Sequence, residues 1–304
     1  MYMPLLGLGL YSGHRGSKWL KDRIKIFKET VYKSLLTQTD QDFILWVSVR
    51  HEDRSDPLIR EFQHFLENSP LNVVFTHTGV CFWDDKYPDD VARERLVHAV
   101  HGALGELHNV MGEADDILMT IQPSDDCYFR DMVKETKRVF REKPDLQVYG
   151  YRHGYVMDYT TGELKEWNPK TTPPFYTIRF PRAIFTDPFK HIEYTGPYKS
   201  HEYVKDFMKA DYVMKRGFIV GCHGLNISTV FDHPYANDCW ENKVNILSDF
   251  GLSDFKKIVF PFSVRAKIFK KLPYGVKRKL RFWAGEKRWI FRPFFAMIYN
   301  ILRG

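Results

Sequence analysis

The sequence predicts an α/β fold: a mostly parallel, doubly wound sheet, then a smaller mixed β region and a basic helical C-terminal tail. Two observations predict the sheet. Strand-length apolar runs alternate with amphipathic helical patterns four times before residue 145, the order a parallel sheet with crossover helices requires. One of those runs, Asp42 to Val49 (DFILWVSV), is apolar almost throughout, as a strand buried on both faces must be. With 304 residues, 44% of them apolar, the chain can bury a full core.

The elements follow in order. Pro4 to Tyr11 is a short apolar strand that runs into a polar loop, Ser12 to Ser17. Leu20, Ile24, Phe27, Val31 and Leu35 then repeat at helical steps, with Ser17 as N-cap. After the Asp42 strand, polar residues Arg50 to Asp56 lead to Pro57, a first-turn residue for a helix ending near Asn68. Asn72 to Thr76 is a third strand. Leu96, Val100, Leu104, Leu107 and Met111 mark one face of a long helix. Ile117 to Ile121 (ILMTI) is the fourth strand, and a helix is expected from near Tyr128. Beyond residue 145 the pattern changes to strand-like stretches at Leu146 to Tyr159, Glu163 to Trp167 and Phe175 to Ile184, with Thr161-Gly162 as a turn. Tyr198 to Met214 reads as helix and Phe218 to Cys222 as a last strand.

Charge is unevenly spread. From Phe255 to Gly304 there are 14 Lys/Arg and one acid, Glu286, while the preceding 254 residues carry 31 basic and 37 acidic residues. A mildly acidic body therefore precedes a strongly basic, aromatic tail, and the composition shift near Asp254 marks a domain boundary. The four cysteines have no CxxC spacing and read as reduced thiols. No signal peptide is recognisable and no apolar run reaches about 18 residues, so the expected location is cytoplasmic.

The main chemical candidate is Ser124-Asp125-Asp126, in the loop leaving the fourth strand. Ligands of doubly wound sheets bind beyond the carboxyl ends of the strands. Two carboxylates there can hold Mg²⁺ or Mn²⁺, and they can equally do no more than cap the next helix. His223, after the strand-like FIVGC, is a candidate third ligand or cationic clamp. His98, His101 and His108 share one helix without metal-site spacing.

At these residues the chain resembles the family-2-like GT-A glycosyltransferases, in particular their rhamnosyltransferase group. Arg23 to Phe43 (RIKIFKETVYKSLLTQTDQDF) is similar to that family's first helix and its "SL..QT..DF" approach to the second strand. The stretch ILWVSV with the loop Arg50 to Asp56 resembles its nucleoside-binding turn. Ser124-Asp125-Asp126 resembles its DxD-type metal motif, with Pro123 where the family has a further Asp. His223 to Thr229 (HGLNIST) resembles its late "HG.N.ST" segment.

The resemblance implies a GT-A-like domain over 1–254, with residues 1–145 as the nucleotide-binding half and 146–254 as the acceptor-side half. It implies Glu52, Asp53 or Asp56 at the nucleobase and ribose, and Asn226 of the late segment at the donor. Arg93 and Arg95, on the helix before the fourth strand, can pair with those acids or with the diphosphate, or form an exposed helix face. Asp125, Asp126 and His223 would hold Mn²⁺ or Mg²⁺. An inverting transferase also needs a base for the acceptor hydroxyl, for which Asp187, His201 and Glu202 are the candidates. The implied donor is a UDP- or dTDP-sugar, rhamnose-like, and the implied acceptor a glycan or lipid-linked molecule. The alternative is a non-catalytic glycan-binding or scaffold protein on the same fold. Residues 264–304, with KIFKKL, VKRKLRFW and KRWIFRPFFAMIYNIL, read as an amphipathic segment drawn to anionic membrane. Nothing in the body reads as a nucleic-acid module.

Overall fold

The computed structural model describes residues 1–5, 17–79, 101–196, 201–223, 231–239 and 241–259. The first strand, β1 (Tyr2–Pro4), begins before the expected Pro4 to Tyr11, most of which lies outside the described residues. Next are α1 (Ser17–Glu29) and α2 (Val31–Leu36). The single helix expected over Leu20 to Leu35 thus breaks at Thr30, whose Oγ1 donates to the Ile26 carbonyl. Such back-bonding competes with the helical ladder. Then come β2 (Ile44–Arg50), a 3₁₀ turn at His51–Ser55, α3 (Pro57–Glu67) and β3 (Asn72–Gly79). Helix α3 begins at Pro57, and Asp56 caps it by accepting from the Leu58 N–H at 2.8 Å. Asp56→Ala should cost about 1 kcal/mol of stability, read as a lower denaturant midpoint with an unchanged slope.

Helix α4 is described over residues 101–111, then β4 (Asp116–Thr120), β5 (Cys127–Tyr128) and α5 (Met132–Glu142). The second half holds β6 (Val148–Asp158), β7 (Glu163–Trp167) and β8 (Tyr176–Pro181), then α6 (Arg182–Phe185) and α7 (Pro188–Thr195). After a 3₁₀ turn at His201–Tyr203 come α8 (Val204–Phe207), β9 (Ala210–Cys222), β10 (Ala236–Asp238) and α9 (Lys243–Asp249). The turn at Thr161-Gly162 is as expected: Gly162 has φ +74°, and its N–H reaches the Asp158 carbonyl.

Strands β1, β2 and β3 form a parallel sheet in the order β1-β2-β3. Tyr2 bridges in parallel to Ile121, just past β4, and the Gln122 N–H donates to the Tyr2 carbonyl. That bridge joins the parallel strands to the mixed sheet, where β8 is antiparallel to both β4 and β6, and β9 runs parallel to β6. Antiparallel β5, β7 and β10 complete that region.

Helices cover both faces. Leu45, Val47 and Val49 of β2 point into a core with Leu20, Phe27, Ile59 and Phe62. Trp46 points the other way, against Tyr2, Val74, Ala103 and Leu107. The apolar run of β2 is thus buried on both sides, as its composition predicts. The rings of Phe27 and Phe62 meet edge to face with centroids 5.1 Å apart, the geometry their quadrupoles favour.

Two further expectations are overturned: the strand expected over Phe175 to Ile184 ends at Pro181 and turns into α6, and residues 210–222 form a single strand rather than the end of a helix and then a short strand. Its first half is only partly buried while its second half is core, so the apolar signal that marks a strand begins late. The basic tail lies outside the described residues beyond Val259. Among the described residues no helix is long and apolar enough to cross a membrane.

Candidate functional site

The parallel strands β1, β2, β3 and β4 release their carboxyl ends on one edge, and the loop after β4 carries the acidic pair. That loop is closed tightly. Gln122, fully buried, donates to the carbonyls of Pro123 and Asp126, and the Tyr128 hydroxyl donates to the Ile121 carbonyl. Asp125 and Asp126 do not cap α5. Strand β5 intervenes, pairing with β9, and Asp131 occupies the N-cap position of α5.

Residues of the "SL..QT..DF" stretch fix the backbone beyond the acidic pair. Ser34 Oγ donates to the Tyr128 carbonyl, and Gln38 Nε2 donates to the Phe129 carbonyl. Gln38 Oε1 accepts from the Val133 N–H, while Thr39 Oγ1 bonds the Asp131 carboxylate. Ser34 and Gln38 are buried, and a buried polar side chain with matched partners specifies one arrangement. This motif therefore positions the acid-bearing loop through backbone contacts.

The acids themselves face different ways. Asp125 Oδ2 lies 2.5 Å from Arg23 Nη1 and 3.0 Å from His223 Nε2. Asp126 Oδ1 accepts from the Gly221 N–H at 2.9 Å. The Tyr159 hydroxyl donates to the Asp125 carbonyl at 2.9 Å. Gly221 has to be glycine: a Cβ there would stand 2.3 Å from the Asp125 carbonyl oxygen and 2.3 Å from the Tyr159 ring.

Burial pulls the Asp125 carboxyl upward, but Arg23 and His223 outweigh it and hold the group below the usual carboxylate range. Asp126 is pushed well above that range, first by burial and then by the Asp125 charge. Burial also lowers His223, against the opposing pull of its bond to Asp125. The two neighbouring acids therefore titrate apart: Asp125 stays ionised and Asp126 favours its proton.

Sequence reasoning passed over Arg23 as a site residue. It is 4% exposed and lies over the Trp19 ring at 5.2 Å. Its buried Nε has no hydrogen-bond partner among the described residues. A signal was present, because Arg23 falls on the helical face marked by Leu20, Ile24 and Phe27, where a cation is out of place without a counter-charge.

The other expected site residues are scattered. Asp53 is held bidentately by Arg50, at 2.7 and 2.8 Å, and is buried. Asp56 serves as the α3 cap. Glu52 lies in the 3₁₀ turn beside them, its side chain outside the described residues together with Arg93, Arg95 and Asn226. Asp187 lies at the wrong end of the sheet. Pro181, at the end of β8, pairs with Asp116 at the start of β4, whereas Thr177 pairs with Thr120 at its carboxyl end. Those four strand steps put Pro181, six residues before Asp187, about 13 Å along the sheet from the carboxyl end of β4. His201 lies at the favourable end: its Nδ1 contacts the Thr172 carbonyl at 2.7 Å, in the loop entering β8. Glu202 is next to it in the same 3₁₀ turn.

The expected metal set is brought together only in part. Asp125 and His223 meet, while the Asp126 carboxylate turns to the Gly221 N–H. Among the described residues no three His, Cys, Asp or Glu side chains converge to hold a metal ion. The Asp125 oxygen that a cation would take already carries two N–H partners, one of them a guanidinium. As folded, these residues do not fit Mn²⁺ or Mg²⁺, which require several converging oxygens.

Cys127 lies beneath the site with its thiol pushed up to about 12 by burial, and Cys222 is also buried, while Cys239 is partly exposed. The thiolate is the reactive form. Iodoacetamide on the native protein should label Cys239 before Cys127 or Cys222, as peptide mass mapping would read. Early loss of the Cys127 thiol would contradict the packing described.

Comparison with protein-family models finds no match, and neither does comparison with curated proteins. Among solved structures, S. aureus TarS 1-349 is similar, with 14% identity and a TM-score of 0.38, over 83% of this chain and 73% of that one. A longer S. aureus TarS structure gives 12% identity and a TM-score of 0.37, over 84% of this chain and 44% of that one. S. aureus TarS 1-349 in complex with UDP gives 12% and 0.36, over 85% and 75%. At such scores the likeness establishes no family.

Proposed function

We propose that the chain is a nucleotide-sugar-dependent glycosyltransferase of the GT-A type. In this reading it moves a sugar, rhamnose-like, from a UDP- or dTDP-linked donor to a glycan or lipid-linked acceptor. One observation supports the reading most. Arg23, Asp125 and His223 come from three separate stretches of the sequence resemblance, far apart in the chain, and they meet within 3.0 Å at the carboxyl edge of the parallel strands. Family-like motifs that are unrelated in function have no reason to converge on one buried point.

In this reading the diphosphate sits over the Arg23-Asp125-His223 cluster, with the nucleoside toward the loop after β2 that carries Asp53 and Asp56. Asp125 orients Arg23, whose charge stabilises that developing on the leaving diphosphate, and fixes the His223 ring beside it. His201 or Glu202, at the same edge, takes the acceptor hydroxyl proton. Asp187 has no part in it. No step is routed through a metal ion, since the residues as folded do not fit one. The basic tail, residues 264–304, would bring the body to an anionic membrane surface and so to a lipid-linked acceptor.

The test is donor turnover. Purified protein is incubated with UDP- and dTDP-sugars, and release of UDP or dTDP is measured with and without glycan acceptors. Release from at least one donor, lost in His223→Ala, is expected. Binding of donor with no turnover against any acceptor would favour the non-catalytic alternative, and no binding of any nucleotide would end both.

A further inference from the structure

We infer that the Arg23 guanidinium occupies the cation position of Asp125, so that the folded wild-type chain takes no divalent ion there. This rests on geometry independent of the sugar reading. Arg23 Nη1 is 2.5 Å from Asp125 Oδ2, the oxygen that His223 Nε2 also approaches at 3.0 Å. The second carboxylate is turned away to the Gly221 N–H. Arg23 is almost wholly buried and enters from α1, whose neighbouring apolar residues Leu20 and Phe27 are fully buried, so its guanidinium is carried by a packed helix. Its Nε is buried with no partner among the described residues.

A divalent ion at Asp125 would have to displace the guanidinium or sit beside it. The first uncovers a buried cation, and the second sets like charges against each other in a poorly solvated site. Resting on the proposed function, the consequence is that a nucleoside diphosphate here meets a fixed guanidinium charge and binds without a metal ion.

Two measurements test this. Mn²⁺ binding to nucleotide-free protein is read by electron paramagnetic resonance in the wild type, Arg23→Met and Arg23→Lys, each with and without Asp125→Asn. The wild type and Arg23→Lys should show no Mn²⁺ site that Asp125→Asn removes. Arg23→Met should gain affinity about tenfold or more, lost again in the double variant. A wild-type site abolished by Asp125→Asn overturns the inference, as does a folded Arg23→Met that binds no more Mn²⁺ than the wild type. Should Arg23→Met not fold, the wild-type and Arg23→Lys titrations still decide.

The second measurement is calorimetric titration of UDP and dTDP in EDTA and in Mn²⁺. Equal affinity supports the inference, and binding only in Mn²⁺ overturns it. Failure of both nucleotides in both buffers counts against the proposed function instead, and the Mn²⁺ titration alone then decides the role of Arg23.

Discussion

Replacing Asp125 with Asn should remove about 3–5 kcal/mol of stability, because it leaves the buried Arg23 guanidinium without its counter-charge. The two side chains are only 15% and 5% exposed, so solvent offers little screening. For a chain of this size the loss corresponds to a fall of about 10 °C in melting temperature. The pair is strong only as a pair: replacing both residues with apolar ones, Arg23→Met with Asp125→Leu, should cost less than Asp125→Asn alone. If Asp125→Asn melts within a degree or two of the wild type, Arg23 is not held as described.

The same pair sets part of the acid response. Asp125 has a folded pKa below its unfolded value, so its stabilisation is present above the ordinary carboxylate range of about 4. It is lost as pH falls toward the folded value, because the unfolded chain takes a proton that the folded chain refuses. Asp126 acts with the opposite sign. Its folded pKa is raised, so it favours folding at low pH and weakens it as pH rises through the folded value. Asp126→Asn should therefore gain stability relative to the wild type as pH rises above the ordinary carboxylate value of about 4, as paired melts would read.

Gly221→Ala is expected to be nearly as damaging, by a steric route. The added carbon would stand 2.3 Å from two fixed partners, the Asp125 carbonyl oxygen and the Tyr159 ring. Neither can retreat freely, since the Tyr159 hydroxyl is bonded to that same carbonyl. The backbone must then shift, and the shift pulls the Gly221 N–H off Asp126. Overpacking of about 1–3 kcal/mol adds to a lost hydrogen bond of about 1 kcal/mol. Nucleotide affinity should fall with stability, because the displaced carbonyl belongs to Asp125. Gly105→Ala is the control: nothing lies within 4 Å of its added Cβ, and in α4 it should stabilise by up to about 1 kcal/mol. Equal effects at the two glycines would contradict the packing around Asp125.

How legible the molecule was in its sequence depended on whether the signal was local. Strands β2 and β7 and helix α3 follow from apolar runs, turn residues and an Asp-Pro start that act within a few residues. The edge carrying Asp125 and Asp126 was legible for the same reason, since an alternating α/β pattern fixes which strand ends share an edge. Strand β9 was misread because its first half is only partly buried and carries Lys and Arg, so a short window sees no strand. The antiparallel placement of β8 was hidden too, and with it the position of Asp187, because pairing direction is decided by tertiary contacts. Arg23 was the costliest omission. Its partner lies far along the chain, and only its place on an apolar helix face betrayed that it was buried.

The most direct test of the central claim, that the Arg23-Asp125-His223 cluster receives a nucleoside diphosphate, is the affinity for UDP and dTDP of the wild type and of His223→Gln. Both are measured by calorimetry at a temperature where circular dichroism shows them folded. The account predicts that at least one nucleotide binds the wild type and binds His223→Gln about tenfold more weakly. Equal affinity for the two proteins would place the nucleotide elsewhere and contradict the site.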